Sequence, residues 1–211
     1  MLLAPTALVL LYRFVDPPVT PLMLIRSAEG EPLHYRPVPL DHISPHLIAA
    51  VIASEDNLFC RHMGFDLGAL RTEVGNWIDG ERPRGASTIS MQTSKNILLW
   101  PGRDLLRKGL EAWFTPQLEL LWDKRRIIEV YLNVAEMGPG VYGAEAAARR
   151  FFGKPASALS RREAALLAAV LPNPREWSAA RPSPYIQRRA TLIMHRIGRL
   201  GPLLDCVSNR R

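Results

Sequence analysis

The stretch from Ser44 to Asp66 constrains the chain more than any other, because a helix with one face to bury runs straight into adjacent carboxylates. Ser44 followed by Pro45 is a helix start: the serine oxygen can accept from first-turn amides, and proline at the first helical position forfeits no internal bond. Leu47, Ile48, Val51 and Ile52 then recur at helical spacing and demand a covering partner. The helix runs out at Glu55 and Asp56. A carboxylate is disfavoured there, where the helix dipole already presents partial negative charge. With Asp56 beside it and Leu58 and Phe59 close by, Glu55 is expected to keep its proton to higher pH than a free glutamate. That would suit a proton donor or acceptor near neutrality. Taken alone, two neighbouring acids at a helix end are more often a solvated pair.

Helical signals dominate the rest of the chain. Leu67 to Asp79 is weakly helical, and Gly80 to Gly85 is a basic loop. After the turn at Gly85, Ser87 can cap a helix in which Thr88, Gln92 and Lys95 share one face. A hydroxyl, an amide and an ammonium beside a helix N-terminus make a surface for an anion or a sugar, although a solvated polar face looks the same. Arg107 and Lys108 precede Glu111 by one helical turn, a pattern worth a few tenths of a kcal/mol on an exposed helix. Pro116 is expected to kink or split that helix. Glu136 to Gly140 reads as a loop and Val141 to Arg150 as a helix stopping near Gly153. Ser160 and Glu163 form a capping box that opens an apolar helix to Leu171. A last amphipathic helix, Tyr185 to Leu200, turns Ala190, Ile193, Met194 and Ile197 inward. No repeat and no strand signal emerges, so the fold class expected is mainly α.

At 211 residues and 47% hydrophobic content, the chain can bury one full core. A net charge of +7 implies an acidic partner: nucleic acid, anionic lipid or a pyrophosphate. Cys60 and Cys206 form no CxxC pair, which argues against a cysteine zinc site and a disulfide scaffold and leaves the compartment open. The histidines form no HExxH; His42 and His46, read as sharing a helical face, suit surface or cap roles better than metal binding. The first dozen residues are apolar but shorter than the roughly 20 that span a bilayer. They also lack a basic start and a cleavage site. Either the chain begins part-way through a membrane anchor, the preferred reading, or the segment dips into the interface. Residues 16–39 are proline-rich and read as an extended link. The expected division is therefore anchor 1–15, link 16–39 and domain 40–211.

The run Glu55-Asp56-x-x-Phe59-x-x-His62-x-Gly64-x-Asp66 resembles the first motif of the peptidoglycan glycosyltransferases, the lysozyme-like family that polymerises lipid II. Gly85 to Asn96 resembles the family's second motif, Gly-Gly-Ser-Thr-Ile-Thr-Gln-Gln-x-x-Lys-Asn, with departures at Ala86, Ser90 and Met91. Arg107-Lys108-x-x-Glu111, then Glu119, Lys124, Ile127, Glu129 and Tyr131-Leu-Asn133, keep the spacing of the later motifs. The likeness runs from about Leu47 to Pro174, and no transpeptidase Ser-x-x-Lys motif follows it, so a monofunctional transglycosylase is implied.

The resemblance implies a single lysozyme-like helical domain, with the Gly80 to Gly85 loop as a small mobile flap and an N-terminal apolar anchor segment. It makes Glu55 the base that deprotonates the 4-hydroxyl of the acceptor lipid II. Lys95, Arg103, Arg107 and Lys108 would hold the pyrophosphate of the growing chain, and Glu111 would orient those cations or the donor. Asp56, His62, Ser87, Thr88 and Gln92 would contact substrate. Inversion at an α-linked donor would give a β-1,4 glycan. No metal site and no required cofactor are implied, although a divalent cation such as Mg²⁺ is compatible. The implied partners are lipid II, the nascent glycan, the outer face of the inner membrane and cell-wall synthesis proteins, not nucleic acid. The implied location is a single-pass inner-membrane protein with its catalytic domain in the periplasm. Two alternatives stand beside this reading. A lysozyme-like hydrolase or lytic transglycosylase would use Glu55 as an acid, but a neutral sugar leaving group needs no cation cluster. A non-enzymatic basic protein binding anionic membrane or nucleic acid would keep its binding after Glu55→Gln.

Overall fold

The structure, a computed structural model, describes residues 3–81, 85–102 and 104–208. Arg103 and residues 82–84 of the basic loop, both named in the sequence reading, lie outside the described residues. The described residues are mainly helical, and the helices fall into two packed groups.

The first group centres on α9, Arg161–Val170, in which every residue from Ala164 to Val170 is buried. Its capping box is present, with Ser160 and Glu163 bonded reciprocally. α3, Pro45–Glu55, and α10, Pro184–Ile197, pack against it. Ser44 caps α3 as expected, and its hydroxyl also donates to the carbonyl of Leu159 at 2.9 Å, tying the start of α3 to the loop before α9. The second group has α5, Ile89–Leu98, between α6, Leu105–Leu121, and α7, Lys124–Val134. α4, Leu67–Ile78, starts at Asp66, whose Oδ1 accepts from the amide of Ala69 at 2.8 Å. The end of α3 faces α5, so Glu55 lies where the two groups meet.

Several expectations change. The segment 16–39 is not an extended link. It holds α2, Pro21–Ala28, with Met23 fully buried, and the strand β1, His34–Tyr35. β1 pairs in parallel with β3, Val141–Tyr142, which pairs antiparallel with β2, Glu136–Gly138. The predicted loop and helix start at 136–142 are therefore two strands of a three-stranded sheet, and α8 begins only at Ala144 and runs to Phe152. Strands of two or three residues are too short to show an alternating pattern. Asn133 completes the join: its side chain accepts from the amide of Val38 at 3.0 Å and donates to the carbonyl of Val38 at 2.9 Å.

α6 runs unbroken through Pro116. Ala112 and Pro116 lie on the exposed side, so the carbonyl that loses its donor faces water, while Glu111, Phe114, Thr115, Leu118 and Glu119 are buried on either side of the proline. His42 lies in a 3-10 turn, Leu40–His42, and His46 in α3, so the two do not share a helix. The cysteines, read as arguing against a disulfide scaffold and as leaving the compartment open, form a disulfide that joins Cys60 to Cys206 across 146 residues of sequence. It fixes the loop after Glu55 to the C-terminal turn.

The apolar start forms α1, Leu3–Tyr12. It packs along α6, with Val9 fully buried and its carbonyl accepting from the indole N–H of Trp122 at 2.8 Å. Among the described residues, no helix is long and apolar enough to cross a membrane.

Candidate active site

Glu55 is the last residue of α3, as the periodicity demanded, and lines a cleft of about 510 Å³ whose walls also carry Ser54, Asp66, Ser87, Arg196 and Arg199. Its pKa is raised, first by desolvation through burial. Hydrogen bonds from Gln92 and Ser54 and the charges of Arg189 and Lys95 oppose that shift. Asp56 is not among the causes, contrary to the sequence expectation. Its carboxylate is turned away, accepting from Nε2 of His62 at 2.9 Å and from the backbone N–H of Ile89 at 2.9 Å.

Asp56 and His62, both expected to contact substrate, use their polar atoms inside the protein. The second ring nitrogen of His62, Nδ1, accepts from the amide of Gly64 at 3.2 Å. Gly64 itself is fixed by space: its φ is +93°, and a Cβ there would sit 2.7 Å from Cγ2 of Thr115 on α6. This loop is a bracket that ties the end of α3 to the start of α5 and packs against α6. Phe59 is fully buried beneath it, with the ammonium of Lys124 4.5 Å from its ring centroid. Lys124 also pairs with Glu119 at 2.6 Å.

Thr88, not Ser87, is the N-cap of α5. Its hydroxyl accepts from the amide of Met91 at 3.2 Å and donates to the carbonyl of Gly64 at 2.5 Å, so it is committed to the fold. Ser87, one residue earlier, faces the cleft and accepts from Nζ of Lys108 at 2.8 Å. Gln92 points at Glu55: its Nε2 donates to Glu55 Oε2 at 3.2 Å, while its Oε1 accepts from the hydroxyl of Tyr131 at 3.1 Å.

The basic cluster forms around Glu111, which is 2% exposed. Arg107 Nη1 donates to Glu111 Oε2 at 2.8 Å and Lys108 Nζ to Oε1 at 2.5 Å. A pair of this pattern on an exposed helix would mean little, but this acid is buried and each of its oxygens holds a cation. The Nε of Arg107 is buried with no partner among the described residues. The charges of both acids act on Lys95. Burial lowers its pKa first; Glu111 and Glu55 raise it, and Arg107 and Lys108 lower it further. The arrangement thus couples one partly buried acid to a compact group of cations through α5. It can accept a proton on one side and stabilise an anion on the other.

Arg189, Arg196 and Arg199 are the contributors that sequence reasoning passed over. The first acts on the charge of Glu55, and the other two line its cleft. The only signal for them was the basic character of the last helix, which resembles any solvated face. Among the described residues, no group of three or more His, Cys, Asp or Glu side chains could hold a metal ion.

A family model described as transglycosylase matches residues 23–198. A biosynthetic peptidoglycan transglycosylase of Rhodospirillum centenum is 60% identical over 192 residues, covering 90% of this chain and 83% of that protein. One from Caulobacter vibrioides is 51% identical over 206 residues, covering 97% and 90%. One from Pseudomonas fluorescens SBW25 is 53% identical over 205 residues, covering 94% and 85%.

Proposed function

The chain belongs to the transglycosylase family and acts as a peptidoglycan glycosyltransferase; from that premise we propose how its residues polymerise lipid II. Glu55 takes the proton from the 4-hydroxyl of the acceptor as that oxygen attacks the anomeric carbon of the donor. The bond from that carbon to the pyrophosphate breaks, with inversion, and a β-1,4 link forms. Lys95, Arg107 and Lys108, together with Arg103, carry the charge of the departing pyrophosphate, and Glu111 keeps the cations gathered. The observation that carries this reading is the buried Glu111 with a cation on each oxygen, set one helix away from Glu55.

A raised glutamate alone would serve a hydrolase acid equally well. The cation cluster decides against that reading, because a neutral leaving group gains nothing from it. The buried, unpartnered Nε of Arg107 supports it further as a donor available to a phosphate oxygen. Ser87 and the cleft-lining Arg196 and Arg199 are the side chains available to substrate, while Asp56, His62 and Thr88 serve the scaffold. Neither the base nor the cations require a cofactor; Mg²⁺ would only supplement their charge.

We place the domain at the outer face of the bacterial inner membrane, in the periplasm. The disulfide supports an oxidising compartment. Exposed apolar side chains on the packed pair of helices α1 and α6, among them Leu11, Phe14 just beyond α1, Trp113 and Leu120, support contact with lipid. In this reading α1 is the end of the single-pass anchor, and the substrate's polyprenyl chain keeps the cleft close to the bilayer. Cell-wall synthesis proteins are the natural further partners.

The test is incubation of the purified protein with lipid II and separation of polymer from monomer. Polymer from wild type and none from Glu55→Gln is the expected result. Polymer at wild-type rate from Glu55→Gln, or release of sugar from finished glycan instead, would overturn the assignment.

A further inference from the structure

Gln92 touches Glu55 from α5, but what sets the orientation of Gln92 is a residue on α7. Tyr131 is 1% exposed, and its hydroxyl reaches the side-chain oxygen of Gln92 at 3.1 Å. A side-chain amide can be turned by 180° with little change in shape, and the turn exchanges a donor for an acceptor. Turned the other way, Gln92 would present its oxygen to Glu55, which only a protonated carboxyl can satisfy. We propose that Tyr131 is a positioning residue for the reaction: its hydroxyl, donating to Gln92 Oε1, holds the amide with its N–H towards Glu55 and so favours the ionised base.

The chemistry of Tyr131 suits a fixed donor. Its hydroxyl is held protonated far above the usual range, first by burial and then by the charges of Glu55 and Asp56. It therefore keeps, at every pH at which the enzyme could work, the proton that it donates to Gln92 Oε1. Both bonds run in one direction, from Tyr131 to Gln92 to Glu55, and no proton need move along them. The other groups facing Glu55 are Lys95 of α5, Arg189 of α10 and the neighbouring Ser54. Asp66, Arg196 and Arg199 share its cleft, and Asp56 is turned to His62 and Ile89. Lys95 and Arg189 also favour the ionised form, but as charges they do not depend on which way an amide points. Tyr131 does.

The proposal rests on the reading of Glu55 as the proton acceptor, so its test separates the two. The rate of lipid II polymerisation is measured against pH for wild type, Tyr131→Phe, Gln92→Leu and Glu55→Gln. In parallel, carboxyl ¹³C resonances are titrated, with Glu55→Gln identifying that of Glu55. Tyr131→Phe removes one oxygen and keeps the ring. It should move the acidic limb of the profile, and the Glu55 titration, to higher pH. The rate on that limb should fall roughly three- to tenfold, the factor one hydrogen bond is worth, with much of it recovered at higher pH. Gln92→Leu should move both in the same direction and further. If Tyr131→Phe leaves both where wild type has them, or lowers the rate equally at every pH, the positioning role is wrong while the base stands. If Glu55→Gln retains the rate, the base itself is wrong. Should Tyr131→Phe fail to fold, an unmoved Glu55 titration in Gln92→Leu overturns the proposal.

Discussion

The carboxylate of Asp56 accepts a hydrogen bond from the backbone N–H of Ile89 at 2.9 Å, although 33 residues separate them. The second acid of the pair therefore holds the first turn of α5 against the end of α3, while the carboxylate of Glu55 is held by Gln92 and Ser54.

Asp56→Ala should accordingly act on the fold before it acts on the chemistry. It strips a buried amide of its acceptor and His62 of its partner, at a cost of about 1–3 kcal/mol. A thermal melt should show the loss, and Asp56→Asn, which keeps an acceptor for Ile89, should lose less. Identical melting of Asp56→Ala and wild type would show that the bracket carries no stability.

Glu55→Gln should lower polymerisation by about two to four orders of magnitude and yet raise stability at neutral pH. Burial raises the pKa of Glu55 in the folded chain, so its contribution is favourable below the unfolded value and is lost as pH rises through the raised one. Glutamine never has to ionise. Melting temperatures of the two proteins should agree at acidic pH and separate towards neutral, with the Glu55→Gln protein higher; the reverse order would contradict the burial of the acid.

Lys95 carries the same conflict with the opposite charge. Its pKa is lowered by burial, so the folded chain gains from this group only at high pH and loses that gain as pH falls through the lowered value. At neutral pH Lys95→Met should melt higher than wild type while productive binding of lipid II weakens. Lys95→Arg should keep more activity than Lys95→Met, though not all of it, because the two cations differ in shape. Kinetics on lipid II beside a melt would check both halves, and a fully active Lys95→Met would leave the residue as surface decoration.

Opening the bond between Cys60 and Cys206 should destabilise the protein by about 2–4 kcal/mol, since it closes a long loop. Denaturant unfolding of Cys206→Ser, and of wild type with reductant, should give matching shifts. Activity should fall at lower denaturant than bulk helicity does, because Cys60 lies in the loop that follows Glu55.

What the sequence made legible was local. The cap at Ser44, the periodic apolar face and the arrival of Glu55 at a helix end all lie within a few turns of one helix, and each stands in the structure. Arg107, Lys108 and Glu111 were equally plain because they share one helix, although their burial was not. The failures share a physical cause, which is distance along the chain. Asp56 was assigned to raise its neighbour because its real partners lie elsewhere in sequence. Tyr131 and Gln92 meet from separate helices, and Cys206 lies 146 residues from Cys60. Pro116 misled for another reason: the rule against proline inside a helix assumes that the orphaned carbonyl has nowhere to go, and here it faces water.

The way α1 meets the body of the protein has a mechanical consequence. The guanidinium of Arg126 donates twice to the carbonyl of Tyr12, at 3.0 and 2.8 Å, and again to Asp16 at 2.8 Å. With Trp122 bonded to Val9, this fixes the last turn of α1 in direction as well as position. Such a joint is a mount and not a leash. The cleft cannot swivel against α1, so the opening that holds Glu55 keeps a constant tilt relative to that helix. A chain extended one sugar pair at a time would then be fed out along a fixed heading relative to α1.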